Sequence, residues 1–463
     1  MESFLKLVAA DLYSRKEGKL ARTAIVFPNK RAGLFFNEYL AQQSDTPIWS
    51  PAYLSISELF RSLSKRELGD PVKLICNLYQ VFCTETQSTE SLDDFYFWGE
   101  LLLNDFDDAD KNLVDTKRLF TNLQELRKLM NDYSFMDKEQ EAAIQQFFLN
   151  FSIERRTALK ERFISMWDVL GNVYNRFKLK LADQNIAYEG MLYREVIENL
   201  NLNELPYDTY VFVGFNVLNK VEHELFQQLQ DAGKALFYWD YDEFYMQPQH
   251  HEAGEFIKRN LKDFPSSLPS SFFNTLQTPK EIRYISSPTE NAQTRYLPQW
   301  IRENLTDKEK ETAIVLCNES LLQPVLHSLP SEVKHVNITM GFPLTQTPVY
   351  SLLDSLLDLQ IEGFNPQNGR YSYKQVMAIL KHSYTRQLSP ESIKLEKTLS
   401  ANNRFYPLPS ELQQDDFLTH LFTPVNGIRA LTVYLSKVLQ QIAAIFQKES
   451  QEEKDVFNQL YRE

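Results

Sequence analysis

The side chains best placed to do chemistry fall into a few short groups. Glu222-His223-Glu224 offers acid, base or metal-ligand atoms, and Asp105-Phe-Asp-Asp-Ala-Asp110 has the outline of a divalent-cation loop. His250-His251-Glu252 could ligate a metal, and Glu332-Val-Lys334 repeats the Glu-x-Lys element of a metal-dependent nuclease strand. Pro28-Asn29-Lys30-Arg31 puts two cations at a turn.

Most of these meet a physical objection. Neighbouring helical positions diverge by about 100°, so Glu222, His223 and Glu224 do not converge on one ion. Asn219-x-x-Glu222 is spaced as a capping box instead, predicting a helix from Lys220 that buries Val221, Leu225 and Leu229. The Asp105 to Asp110 run lacks the central Gly and bidentate Glu of an EF-hand. It lies between helical segments, where aspartates at helix N-termini explain it. His250 and His251 stand in a polar loop without a companion Cys or His. No Pro-Asp element precedes Glu332 suitably, so that match reads as chance. Cys76, Cys83 and Cys317 have no metal-ligand spacing. Cys76 and Cys83, both in LICNLYQVFC, read as core thiols on one helical face.

Nucleotide chemistry is missing as well. A phosphate loop needs G-x-x-x-x-G-K-S/T. The Gly-Lys pairs here, Gly18-Lys19 and Gly233-Lys234, have neither the earlier Gly nor the following hydroxyl. The chain is not expected to bind ATP in the P-loop manner.

Lys30 and Arg31 survive this sifting. They sit where a strand meets a helix, a usual place for an anion or phosphodiester contact. A second basic stretch, Glu154 to Arg162 continuing to Arg176-Phe-Lys-Leu-Lys180, reads as solvated helix faces. The formal charge of −13 excludes a uniformly basic coat. It leaves room for a narrow basic groove, because phosphate binding depends on local charge.

The elements that carry these residues follow from periodicity. A length of 463 residues predicts several domains. Thr23 to Phe27 is a strand, followed by a polar turn and a helix through Gly33 to Leu40, the opening of a βαβ unit. Trp49 to Leu54 is extended and leads to a helix at Ser57 to Phe60. From Pro71 to Leu200 apolar residues recur at three and four, predicting an all-helical block without strands. Strands return at Tyr210 to Val213 and Lys234 to Trp239. The Ser- and Pro-rich FPSSLPSSFFNTLQTP, from Phe264 to Pro279, is the linker candidate. Beyond it, Ile282 to Ser286 and Thr312 to Leu316 read as strands and Val336 to Thr339 as extended. Helices fall at Asn291 to Leu305 and Leu321 to Ser328, and everything past Val349 is helical. The closing VFNQLYRE runs in helical pattern without a cap, which reads as a truncation. The N-terminus lacks a signal-peptide pattern and no window approaches a membrane span, so a cytoplasmic protein is expected.

Several stretches are familiar together: AIVFPNKRAGLFFNEYL, FYFWGELLLNDFDDADK, YVFVGFNVLNKVEHELFQQL, FYWDYD, VNITMGFPL and MAILKHSYT, in that order. The chain resembles the amino-terminal half of the AddB-like proteins, bacterial helicase–nuclease subunits akin to RecC. In particular it is similar to PD-(D/E)XK nuclease family proteins with an inactivated superfamily-1 helicase region. The likeness spans nearly the whole chain. It implies an α/β fold of two RecA-like (P-loop-NTPase-like) domains with large helical insertions and missing Walker motifs. Residues 1–65 with 200–263 would form the first such domain and 66–199 its helical insertion. Residues 264–280 would be a linker, 281–348 the start of the second domain, and 349–463 a second, truncated helical insertion.

The resemblance also assigns roles. Asn29, Lys30 and Arg31 would contact single-stranded DNA. Gly214 and Phe215 would stand where an active helicase has its Asp-Glu pair, a degenerate Walker B position lacking magnesium ligand and base. Phe237-Tyr-Trp-Asp240 falls where an active motor couples ATP state to DNA. Phe215 or Trp239 could stack on bases, with packing the favoured role. The family's nuclease domain, with magnesium and often an iron–sulfur cluster, lies carboxy-terminal to the helicase-like part. Nothing here matches either, so no cofactor and no catalytic site is expected in this chain. The function implied is a non-catalytic helicase-like region of a DNA-repair helicase–nuclease. It would guide or separate DNA strands and scaffold an AddA/RecB-like motor. An ATP-dependent helicase or exonuclease with degenerate motifs, or an α/β protein-interaction module unrelated to DNA, are the alternatives.

Overall fold

A computed structural model describes residues 3–120, 156–247, 252–269, 274, 276–305 and 312–446. The chain divides into two units, residues 1–281 and 282–463.

The first unit is built on a four-stranded parallel sheet. Its inner strand β1 (Thr23–Phe27) is buried at every position, as a run apolar on both faces requires. β1 pairs in parallel with β2 (Ala52–Ser55) on one side. The neighbour on its other side is β5 (Thr209–Val213), followed by β6 (Ala235–Tyr238), giving the order β2-β1-β5-β6. Alternation along the strands divides the side chains between two faces. Ile25, Phe27, Val211, Val213 and Tyr238 join the core formed with helices α1 (Phe4–Lys16) and α2 (Arg31–Ala41). Ala24, Val26, Tyr210, Phe212 and Phe237 join the opposite core, with helix α3 (Ile56–Leu63).

The helical block comprises α4 (Pro71–Thr86), α5 (Leu92–Lys111), α6 (Arg156–Asp183) and α7 (Glu189–Glu198). Asp70 accepts from the Lys73 amide and Pro71 opens α4, so a cap and a fixed φ start that helix together. Ser91 caps α5 in the same way. The block is not free of strand. β3 (Glu67–Leu68), at its entrance, pairs in parallel with β4 (Ile186–Ala187), between α6 and α7. Its core is continuous with that of the sheet: Phe60 of α3 stacks on Tyr193 of α7 at 4.0 Å. After β5 come α8 (Lys220–Asp231), β6 and α9 (Glu255–Asp263). Cys76 and Cys83 share a face of α4 but are half-buried beside the core, and Cys317 is exposed.

The second unit departs from the expected pattern. The helices form, as α10 (Glu290–Asn304) and α11 (Leu322–Ser328). No ladder joins Ile282 to Ser286, Thr312 to Leu316 and Val336 to Thr339 among the described residues, so the second sheet is not present there. Tyr284 and Val315 are 91% and 84% exposed. A parallel sheet needs both faces covered, and these apolar runs have no such cover here. The organised core of this unit comes later and is mainly helical, with Leu352, Ile379, Leu418 and Val438 fully enclosed. It includes a small antiparallel pair, β7 (Phe364–Asn365) with β8 (Arg370–Tyr371). Among the described residues, no helix is long and apolar enough to cross a membrane.

Candidate nucleic-acid interface

The strand order fixes where a ligand would sit. The chain leaves β1 towards β2 and leaves β5 towards β6, so the connections diverge between β1 and β5. In open parallel sheets, ligands lodge at the carboxyl ends of the strands at such a divergence. Val26 is opposite Phe212, so Phe27 lies beside Val213 one step on. The turns Pro28 to Arg31 and Gly214 to Asn216 therefore leave the sheet at that point.

The first turn is basic but not unopposed. Phe27 is opposite Ser55 in the β1–β2 register. Three residues beyond each lie Lys30 and Glu58, and Lys30 Nζ meets Glu58 Oε1 at 2.5 Å. The other carboxylate oxygen is engaged in a capping box: Ser55 donates to Glu58 Oε2 from its amide at 2.9 Å and from its hydroxyl at 3.0 Å. Burial opposes ionisation of Glu58, yet Lys30 and Ser55 outweigh it and hold the carboxyl below the usual carboxylate range. Asn29 is exposed and its Oδ1 accepts from the Ala32 amide at 3.3 Å, closing the first turn of α2. Arg31 is half-buried at the start of that helix.

The second turn carries no acid. Gly214 has φ +73°, a conformation open to glycine without steric cost. A Cβ there would touch only the Phe4 ring at 3.8 Å, so the backbone rather than the space calls for glycine. Phe215 is 5% exposed and packs edge-on against Phe212 and Phe226. Trp239 is 1% exposed, with Nε1 donating to the Phe264 carbonyl at 2.7 Å. Both rings belong to the core and neither is presented to a base. Tyr238 faces the opposite layer, its hydroxyl donating to Asp11 at 2.7 Å.

The helical block brings charged groups against the first turn of α3 and the start of α8. Lys111, closing α5, pairs with Asp107 at 2.8 Å and with Glu189 at 2.6 Å. Glu189 also accepts from Tyr193 at 2.8 Å and is hydrogen-bonded to Ser57, next to Glu58. Burial works against the Glu189 charge, but Lys111 and Tyr193 outweigh it and its carboxyl lies below the usual range. Glu222 has the opposite balance: burial pushes its carboxyl up although the Asn219 amide donates to it.

The aspartate run is corrected by the structure. Asp105 to Asp110 lie within the last turns of α5, not between helices or at N-termini. Carboxylates are unfavourable at a helix C-terminus unless cations answer them. Asp110, fully enclosed, accepts from Tyr174 and Tyr188, both at 2.5 Å, from Lys178 at 3.0 Å and from Arg194 at 3.2 Å. Four donors satisfy this carboxylate, which welds α5 to α6 and α7.

The basic stretch on α6 is divided: Arg176 is exposed, as a solvated face predicts, while Lys178 turns inward to a buried carboxylate. Arg176 pairs with Glu85 at 2.7 Å, Lys178 with Asp110, and Lys180 donates to Gln80. The side chains of 156–162 lie outside the described residues.

Glu222, His223 and Glu224 diverge as their helical spacing demands. Glu222 caps with Asn219, His223 reaches Asp263 at 3.2 Å, and Glu224 accepts from Gln228. Val221, Leu225 and Leu229 are buried, together with Phe226. Glu332 pairs with Arg302 at 3.2 Å. His250 and His251 lie outside the described residues, and Glu252 opens a short turn before α9. Among the described residues no group of three or more His, Cys, Asp or Glu side chains is arranged to hold a metal ion.

Sequence reasoning did not find Glu58 as a partner of Lys30. The S-x-x-E signal at Ser55 to Glu58 was legible, but its link to Lys30 depends on the β1–β2 register. No protein-family model and no curated protein matches the chain.

Proposed function

We propose that this chain is a non-catalytic, helicase-like region of a DNA-repair helicase–nuclease of the AddB/RecC kind. It guides or separates strands while a partner motor of the AddA/RecB kind hydrolyses ATP. Its parallel sheet is the first RecA-like domain, with the Asn29 to Arg31 turn touching the phosphodiester backbone. The observation that carries this reading is the pairing of two turns at one topological switch point. One turn bears Lys30 and Arg31, and the other has Gly214 and Phe215 where a nucleotide-hydrolysing core needs acids.

Binding of single-stranded and forked DNA, followed by fluorescence anisotropy across a salt series, tests it. Affinity should fall with salt. Lys30→Glu with Arg31→Glu should weaken binding and flatten the slope by about 0.7 for each phosphate no longer neutralised. Charge reversal that leaves both unchanged sinks the DNA contact. Micromolar binding of magnesium–ATP in calorimetry sinks the non-catalytic part.

One observation favours a protein-interaction module instead. Leu34 and Phe35 on α2 and Trp49 before β2 are exposed, and apolar surface of this kind suits a protein partner. That reading predicts no salt-dependent DNA binding at all.

A further inference from the structure

We infer that Glu58 is a built-in competitor for the DNA phosphate at Lys30, so that engagement at this turn is an exchange of anions rather than a simple addition. The inference rests on the proposed DNA contact. It comes from the division of labour between the two oxygens of one carboxylate. Oε2 is held by the amide and hydroxyl of Ser55 at 2.9 and 3.0 Å, which fixes the side chain on the first turn of α3. Oε1 is thereby aimed at Lys30 Nζ, 2.5 Å away. The Lys30 side chain is 74% exposed and that of Glu58 31%, so the cation is open to a ligand while its counter-charge is anchored.

An exposed pair of this kind is weak, worth a factor of about two to five in an equilibrium, and a phosphodiester with further contacts displaces it. The anchored carboxylate then makes two demands. Any ligand must supply an anion able to replace it, which disfavours neutral partners. The affinity contributed by Lys30 is also set below that of a lone lysine, as suits a strand that must slide past.

Glu58→Gln is the discriminating variant, because glutamine at this position still completes a capping box while its charge is gone. The full chain and its Glu58→Gln, Lys30→Ala and double variants are titrated with fluorescein-labelled oligothymidylate of about twenty nucleotides. Glu58→Gln should bind about two- to fivefold more tightly, and the gain should vanish when Lys30 is already alanine. A gain that persists without Lys30 overturns the inference, because Glu58 would then act only through overall charge. No gain, with Lys30→Ala still weakening binding, overturns the inference and leaves the DNA contact standing. Binding that is absent, or indifferent to Lys30→Ala, overturns the DNA contact and the competition with it.

A second readout needs no DNA. Acetylation of Lys30 by an amine-reactive ester, followed by mass spectrometry, should speed up about two- to fivefold in Glu58→Gln. An unchanged rate overturns the hold of Glu58 on Lys30 whatever the DNA result.

Discussion

At the scale of single residues, the structure separates side chains that pack from those that face outward. Phe215 is the clearest case, because it stands at a strand tip yet is enclosed by Phe212 and Phe226. Phe215→Ala should cost about 3 kcal/mol in denaturant unfolding, with DNA affinity unchanged once folding is assured. A drop in affinity at unchanged stability would return Phe215 to the interface. Tyr174 and Tyr188 carry a pH prediction. Burial first, then the Asp110 carboxylate, raises both hydroxyls above the ordinary tyrosine value of about 10. The folded state then binds more protons than the unfolded one above that pH. The stability these groups confer is complete below about pH 10 and is lost as pH rises through their folded values. Unfolding measured from about pH 8 to 11 should show that decline, and Tyr174→Phe with Tyr188→Phe should flatten it. The aspartates of this cluster were visible in the sequence, but their role was not. Their partners come from α6 and α7, and only packing brings those helices together.

At the scale of elements, periodicity and caps located the sheet strands of the first unit but missed the β3–β4 pair inside its helical block. The run Thr23 to Phe27 and the Asn219–Glu222 box are local signals, and local geometry answers them. What pattern alone could not supply was register, and with it the Lys30–Glu58 pair. The three apolar runs of the second unit show the converse limit. Strand propensity needs a partner ladder and a covered face before it becomes a sheet. Close helix approach gives a prediction at this scale. A Cβ added at Gly190 would lie 2.3 Å from the Asp107 carbonyl oxygen, where the start of α7 meets the end of α5. Gly190→Ala should therefore destabilise by about 1–3 kcal/mol, read as a lowered thermal midpoint. It should also loosen the Lys111–Glu189 pair at that junction. An unchanged midpoint would mean the two helices can part without cost.

For the molecule as a whole, the segment order sheet, helical block, sheet was readable from the change of period along the chain. The depth of the join between block and sheet was not. Leu74, Phe95, Phe177 and Tyr193 of the block share one core with Val26, Phe212 and Phe237 of the sheet. Excising residues 70–185 and closing the gap with a short linker should strip that face of the sheet and give an aggregating product on gel filtration. A soluble, cooperatively unfolding remnant would show the sheet to be independent. The same region has a mechanical side. The segments before α4 and after α6 are held together by two backbone bonds, Glu67 N to the Asn185 carbonyl and Gly69 N to the Ala187 carbonyl, at 3.2 and 2.9 Å. The excursion from α4 to α6 is thus closed at its base, and α3 ends just before that closure. A load on that excursion is therefore borne by its closed base as well as by the shared core, and Glu58 lies only one short helix back along the chain.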